Sequence, residues 1–172
     1  MAIKGLGYTK TTWAYGERPV SSAKLNAWDD RIEAALEAVH FLLSLAWGGG
    51  DGVIRGAEGE LRVEATDPPG LSVKVAPGWA FIGGSPYRMA EAVATVDLPV
   101  PQSADRVDLV QARLDSWNVT VKQGVEGGAP AAPEADADCI ALAEVFLRPG
   151  AAAVRDTDNG VDGYVVDRRR FL

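Results

Sequence analysis

The sequence predicts an α+β protein: an N-terminal extended arm and a heptad-patterned oligomerisation helix, followed by a mainly antiparallel β-sandwich or barrel domain. Three observations predict it. Between Leu25 and Ala46 apolar residues recur alternately at three and four positions, the period of one helix face. From Val53 onward that period gives way to short alternating pieces broken by Gly, Pro, Asn and Asp, the pattern of many short strands joined by turns. Between the two lies LLSLAWGGGDGVIRG, residues 42–56, where the most hydrophobic segment runs straight into five glycines. The segments read as an arm (1–20), a helix (21–47), a glycine hinge (48–52) and a β domain (53–172).

Residues 1–20 hold glycines, a proline and the aromatics Tyr8, Trp13 and Tyr15. No periodic apolar partner accompanies them, so they read as an extended arm whose rings need a foreign surface. Large aromatics are preferred anchors at protein interfaces. In the helix, Ser21 is a good N-cap because its hydroxyl can accept a first-turn N–H. Val20 and Leu25 suit a hydrophobic staple across that cap, and Gly48 suits the C-terminal stop. The seam is Leu25, Trp28, Ile32, Ala35, Val39, Leu42 and Ala46. Asp29, Asp30, Arg31 and Glu33 give the first half a wet face, whereas AVHFLLSLAW is apolar nearly all round. Such a segment needs cover from other helices or from the following domain. The seam, widened by Leu36, Leu43 and Leu45, exceeds what a two-stranded coil covers. A homotrimer is therefore the first expectation and a hexameric ring the second.

In the β domain, GELRVEAT alternates at Leu61 and Val63. LSVKVAPGWAFIGGSPYRMA reads as three strands turning at Pro77-Gly78 and Gly83-Gly84, and ATVDLP as a short strand stopped by Pro99. DRVDLVQARLD and NVTVKQG form a hairpin turning near Ser116. CIALAEVFLRPG is apolar on both faces, as a central strand is, and YVVDRRRFL is strand-like. VEGGAPAAPEADAD, residues 125–138, is too rich in Ala, Pro, Gly and acid to pair and reads as an exposed loop.

Composition narrows the function. The 172 residues carry a net charge of -7 and 47% hydrophobic content, enough for one or two folded units. An acidic chain gains nothing from a phosphate backbone, and Arg168, Arg169 and Arg170 form the only basic cluster, so no nucleic-acid partner is expected. No apolar stretch reaches the roughly 17–20 residues of a membrane span, and no secretory signal core opens the chain. The single cysteine, Cys139, sits in an apolar run and reads as a buried core residue. His40, the single histidine, lies on the apolar helix end without partners at metal-ligand spacing. DTDNGVDG offers Asp156, Asp158 and Asp162, with Asp167 further on. Its glycine falls one position early for a Ca²⁺ loop and its twelfth residue is Asp rather than Glu, so it reads as tight turns. GGGDG and GGAPAAP lack the Lys and Ser/Thr of a phosphate loop. The expectation is no catalysis, no catalytic residue, no metal and no cofactor. Trp79 and Phe81, which share a strand face, suggest a sugar-stacking platform, but that face reads first as core.

Taken in order, SSAKLNAWDDRIEAA, VKVAPGWAFIGGSPYRM, DRVDLVQARLD, NVTVKQG, APAAPEADADCIALAEVFLRPGAAAV and VVDRRRF resemble tailed-phage tail structural proteins. The similarity is to baseplate and tail-fibre-type adaptor modules. The matching motifs are Val75 to Gly83, Arg106 to Asp115, Gly128 to Asp138, Ile140 to Val145 and Asp167 to Arg169. The resemblance implies a virion protein assembled in the host cytoplasm, with arm and helix as the assembly end and other virion structural proteins as partners. Fibre proteins of this kind continue into a shaft or receptor-binding tip. Here the sequence ends at Leu172, so a stand-alone adaptor or short fibre is expected. The rival expectation is a carbohydrate-binding module that recognises host surface glycans through exposed head aromatics.

Overall fold

Ser22 to Ala46 winds into α1, within a residue of the predicted limits at each end. The computed structural model describes residues 22–46, 50–56, 58–95, 97–114 and 118–172, with the backbone alone at 38 and 40–46. The chain divides into two units, Met1–Gly49 and Gly50–Leu172. The α+β class is as predicted: the described residues form one long helix, then eleven strands whose pairings are antiparallel except where β10 meets β11.

The head begins at Gly50, so Gly50, Asp51 and Gly52, read above as hinge, fold with it. β1 (Gly52–Val53) pairs with β4 (Gly78–Ile82), which forms a hairpin with β5 (Ser85–Met89) across Gly83-Gly84. Those two glycines have φ of 58° and 75°, the left-handed region that glycine enters without penalty. Gly52 is required by close approach. A Cβ there would lie 2.8 Å from the Arg170 carbonyl oxygen, because the chain end runs beside β1 and Val53 N–H donates to that same oxygen at 2.7 Å.

β2 (Val63–Ala65), β3 (Val73–Val75) and β6 (Val93–Ala94) make a second sheet in the order β2-β3-β6. The predicted turn at Pro77-Gly78 is instead a passage from β3 in one sheet to β4 in another. The Pro77 carbonyl holds it there by accepting from Gly59 at 2.8 Å. The third sheet has the order β10-β11-β9-β7-β8, built from β7 (Arg106–Arg113), β8 (Asn118–Lys122), β9 (Cys139–Leu147), β10 (Val154–Arg155) and β11 (Gly163–Asp167). The β7–β8 hairpin and the central place of β9 match the sequence reading; residues 115–117 at the hairpin tip lie outside the described residues. On β9 the ladder passes from Val110↔Ala143 to Gln111↔Ala141. Leu142 is left as the extra residue of a bulge, which lets consecutive residues Leu142 and Ala143 both reach the core.

One core serves all three sheets, joining Val53, Ala80 and Ile82 to Val73 and Val75 and to Val110, Leu142 and Val145. The expected core face of Trp79 and Phe81 holds only for Phe81, which is buried, and not for Trp79. Ala80 and Ile82, fully buried, belong to the main cluster. Phe81 is buried outside the main cluster, and Trp79 is half-buried beneath Arg88. Ala80 of β4 and Tyr87 of β5 face each other in register, so the small alanine leaves room for the ring. Burial pushes the Tyr87 hydroxyl pKa up to about 12.

Candidate assembly surface

Two features stand out among the described residues: the apolar stripe of α1, and the polar clamps that fasten the loops of the head.

On α1, Leu25 and Trp28 are each 43% exposed and Val39 40%. Ile32 and Ala35 are half-buried. Leu36, outside the predicted seam, is the most exposed at 64%. Leu42 and Ala46 continue the helix, and only their backbone is described. His40 stands likewise. Tyr8, Trp13 and Tyr15 lie outside the described residues. Four large apolar side chains at least 40% exposed on one helix are a cost in water. Full burial of each is worth about 1.5–3 kcal/mol, so covering the stripe would release several kcal/mol.

The head holds its long loop by side chains that the sequence reading did not single out. Arg106 and Asp108, both buried, form a paired ion bridge within β7: Arg106 Nε donates to Asp108 Oδ1 at 2.7 Å and Nη2 to Oδ2 at 2.9 Å. The same guanidinium donates to the Pro99 carbonyl at 2.5 Å, and Gly124 N–H donates to Asp108 at 2.9 Å. A Cβ on Gly124 would run into the Val107 carbonyl oxygen, so only glycine lets the chain pass there. Beyond it, residues 125–138 form no strand, as expected, but they are fastened rather than free. Glu126 accepts from the N–H groups of Gln102 and Ser103 and from the Ser103 hydroxyl at 2.7 Å. Asp136 accepts from Gln111 at 2.7 Å and Lys122 at 2.6 Å, and its own N–H donates back to Gln111 Oε1. A buried Gln and a half-exposed Asp sharing a two-way bond are invisible to periodicity.

DTDNGVDG is a pair of tight turns. Asn159 Oδ1 accepts from Val161 and Asp162 N–H, and Asp158 accepts from Gly160 N–H. Asp162 is taken by Arg155 at 2.6 Å and Asp158 by Arg148. Among the described residues no group of three His, Cys, Asp or Glu could hold a metal ion, and no described helix is long and apolar enough to cross a membrane. Of the three consecutive arginines, Arg169 is drawn inward and pairs with Asp167 and Glu60, while Arg168, exposed, pairs with Glu144, and Arg170 is exposed as well. Cys139 is half-buried rather than buried, because it opens β9 at the rim of a small cleft shared with Arg168 and Arg170.

The half-buried rings of the head carry guanidinium groups. Arg88 lies 4.9 Å from the centre of Trp79, Arg148 5.0 and 5.4 Å from Phe146 and Tyr164, and Arg55 4.5 Å from Phe171. A cleft of about 330 Å³ between β2 and β11 is lined by Arg62, Glu64, Asp156 and Asp167. Its charges are already engaged, Arg62 with Glu64, Asp156 with the Ala65 N–H, and Asp167 with Arg169.

These clamps make the head sensitive to acid. Hydrogen bonds from the Ser103 hydroxyl and from the Ser103 and Gln102 N–H groups hold the Glu126 pKa down at about 2. Asp136 is lowered by Lys122 and Gln111, Asp162 by Arg155 and Asn159, and Asp167 by Arg169. Each depressed pKa contributes stability that is complete above the unfolded value and lost as pH falls through the folded one. The melting temperature of the head is expected to hold from neutrality to about pH 5 and to fall between about pH 4.5 and 2. Glu126→Gln is expected to flatten part of that fall in a calorimetric series; a wild-type midpoint unchanged at pH 2 would show that the clamps contribute nothing.

Fold and surface together define an α+β chain in which a helix with an exposed apolar stripe precedes a clamped, mainly antiparallel head. No family model matches the chain, no curated protein matches it, and no solved structure matches it.

Proposed function

We propose that this chain is a structural protein of a tailed-phage virion, an oligomeric adaptor of the tail, baseplate or fibre that assembles through α1 and attaches to other virion subunits. The observation that carries the assembly half is the exposed stripe of Leu25, Trp28, Leu36 and Val39. A monomer in water rarely keeps such a row uncovered. The virion half is supported by the order of motifs from Ser21 to Arg169, and the arm residues Tyr8, Trp13 and Tyr15 are its docking anchors. The heptad seam favours a trimer, with a hexamer as the second choice. Glycan recognition is the weaker reading because a sugar would have to compete with a guanidinium on each ring. Catalysis has no support in the head, whose carboxylates around the 330 Å³ cleft are spent on arginines and backbone N–H groups.

Light scattering on the full chain, and on a chain without residues 1–47, tests the assembly half. A full-chain mass near three copies and a folded single copy of the shortened chain are expected. A monomeric full chain at tens of micromolar would end the proposal. Mass spectrometry of purified particles tests the virion half: the chain is expected among their proteins, and its absence would remove it from the virion.

A further inference from the structure

The edges of the three sheets are closed or blunted, with one exception among the described strands. Val53 of β1 donates to the Arg170 carbonyl and accepts from the Leu172 N–H. At β2 the Ala65 N–H is taken by Asp156 at 2.7 Å, and at β10 the Val154 N–H by the Gly70 carbonyl at 2.8 Å. β5 carries Pro86, and β6 has only two residues. Such devices keep an edge from recruiting another strand. β8 has none of them. It ends the five-stranded sheet, runs for five residues, and holds three β-branched residues in a row, Val119, Thr120 and Val121. Its one charge, Lys122, is already held by Asp136 and the Glu134 carbonyl. The ladder shows which groups of β8 lie open. Leu114 N–H donates to the Asp138 carbonyl at the start of β9. Sides alternate along an antiparallel strand, so Leu109, Gln111 and Arg113 turn to β8. Their register partners Lys122, Thr120 and Asn118 turn to β7. Val119 and Val121 therefore direct their N–H and C=O groups away from the sheet, and no described group pairs with them.

We infer that β8 pairs with β8 of a second copy of this chain, antiparallel about a twofold axis through Thr120. In that register Val119 faces Val121 of the second copy, and the reverse, and each pair exchanges both hydrogen bonds. All four open groups of the strand are then used. An axis through Val119 or Val121 would leave the other valine opposite a residue outside the strand. Thr120 faces its own counterpart, and Asn118 faces Lys122, so no like charges meet across the joint. The side chains of Val119 and Val121 pack against the core of the head, so the joint carries that apolar row from one copy into the next. A self-complementary patch of this kind is what a twofold contact requires. The contact lies in the head and does not depend on α1. One five-residue edge falls far short of the roughly 1,200 Å² of a lasting interface, so by itself it joins two heads only transiently.

Disulfide trapping in the full chain, with Cys139→Ala so that one thiol is present, tests the pairing. Opposed residues that share no hydrogen bond lie about 4.5 Å apart at Cα, within reach of a disulfide. Thr120→Cys is therefore expected to give a covalent dimer under oxidised glutathione. Asn118→Cys is the control. It is the more exposed position, so chance collisions favour it. The axis, however, sets its two copies four residues out of register, roughly 14 Å apart. Cross-linking of Thr120→Cys is expected to run about tenfold or more ahead of Asn118→Cys. Val121→Pro removes one outward N–H without touching the bonds to β7, and is expected to bring the Thr120→Cys rate down to that of the control. The melt of the head reports that each variant remains folded. Equal rates at the two positions, or a faster one at Asn118→Cys, would overturn the twofold pairing and leave the edge to another strand. A Thr120→Cys rate that Val121→Pro leaves unchanged in a folded head would overturn it as well.

Discussion

Arg106→Ala is expected to cost the head about 3–5 kcal/mol, as much as truncating a large core side chain. Arg106 is 2% exposed and Asp108 0%, so removing the cation leaves a carboxylate buried without its partner. The loss spreads further, because the same guanidinium satisfies the Pro99 carbonyl ahead of β7. Asp108 in turn holds Gly124 at the start of the long loop. Replacing both residues with apolar side chains of similar volume is expected to cost less than the sum of the single changes, since neither charge is then stranded. It is not expected to be neutral: the Gly124 N–H and the Pro99 carbonyl each lose a partner. Urea unfolding of the four members of this cycle measures the coupling. Strict additivity would mean that the bridge is not formed.

Ile32→Asp is expected to turn the assembled protein into monomers. Ile32 lies in the middle of the α1 stripe, between Trp28 and Leu36. In a seam shared by several copies, each substituted chain would bring a carboxylate to the same apolar level. An unpaired ion taken from water costs several kcal/mol even after relaxation, and the neighbouring carboxylates would repel one another besides. Ile32→Leu keeps the volume and polarity and is expected to leave the mass unchanged. The head lies in the other unit, so its melt should move little in either variant. An oligomer mass that survives Ile32→Asp would sink the assembly role of α1.

How much of this surface the sequence carried varies by residue. Leu25, Trp28 and Val39 were legible as one face because a period of 3.6 places them on the same side of a helix. Leu36 was legible only as a widening of the seam, although it is the most exposed of the set; a heptad template gives weight to a and d and undercounts their neighbours.

The sequence by itself determined the local structure: α1 with its limits, the Gly83-Gly84 hairpin, the β7–β8 pair and the central strand β9. Each is set by contacts within a few residues or by an apolar pattern that only one arrangement can bury. The tertiary structure alone decided which strands share a sheet and which face each one buries. Ala80 and Ile82 carry the main cluster on β4, with Tyr87 in register opposite Ala80, while Phe81 is buried on the other face and Trp79 only half-buried. Cys139 came to a cleft rim because β9 begins there. The fastening of residues 125–138 rests on Arg106, Asp108, Gln111 and Asp136. The partners of these residues lie as far as 25 positions away, so their pairing becomes definite only when packing removes water from both sides. Gly52 and Gly124 belong with them. One reads as hinge and the other as the end of a strand, yet each is glycine because another backbone passes where a side chain would stand.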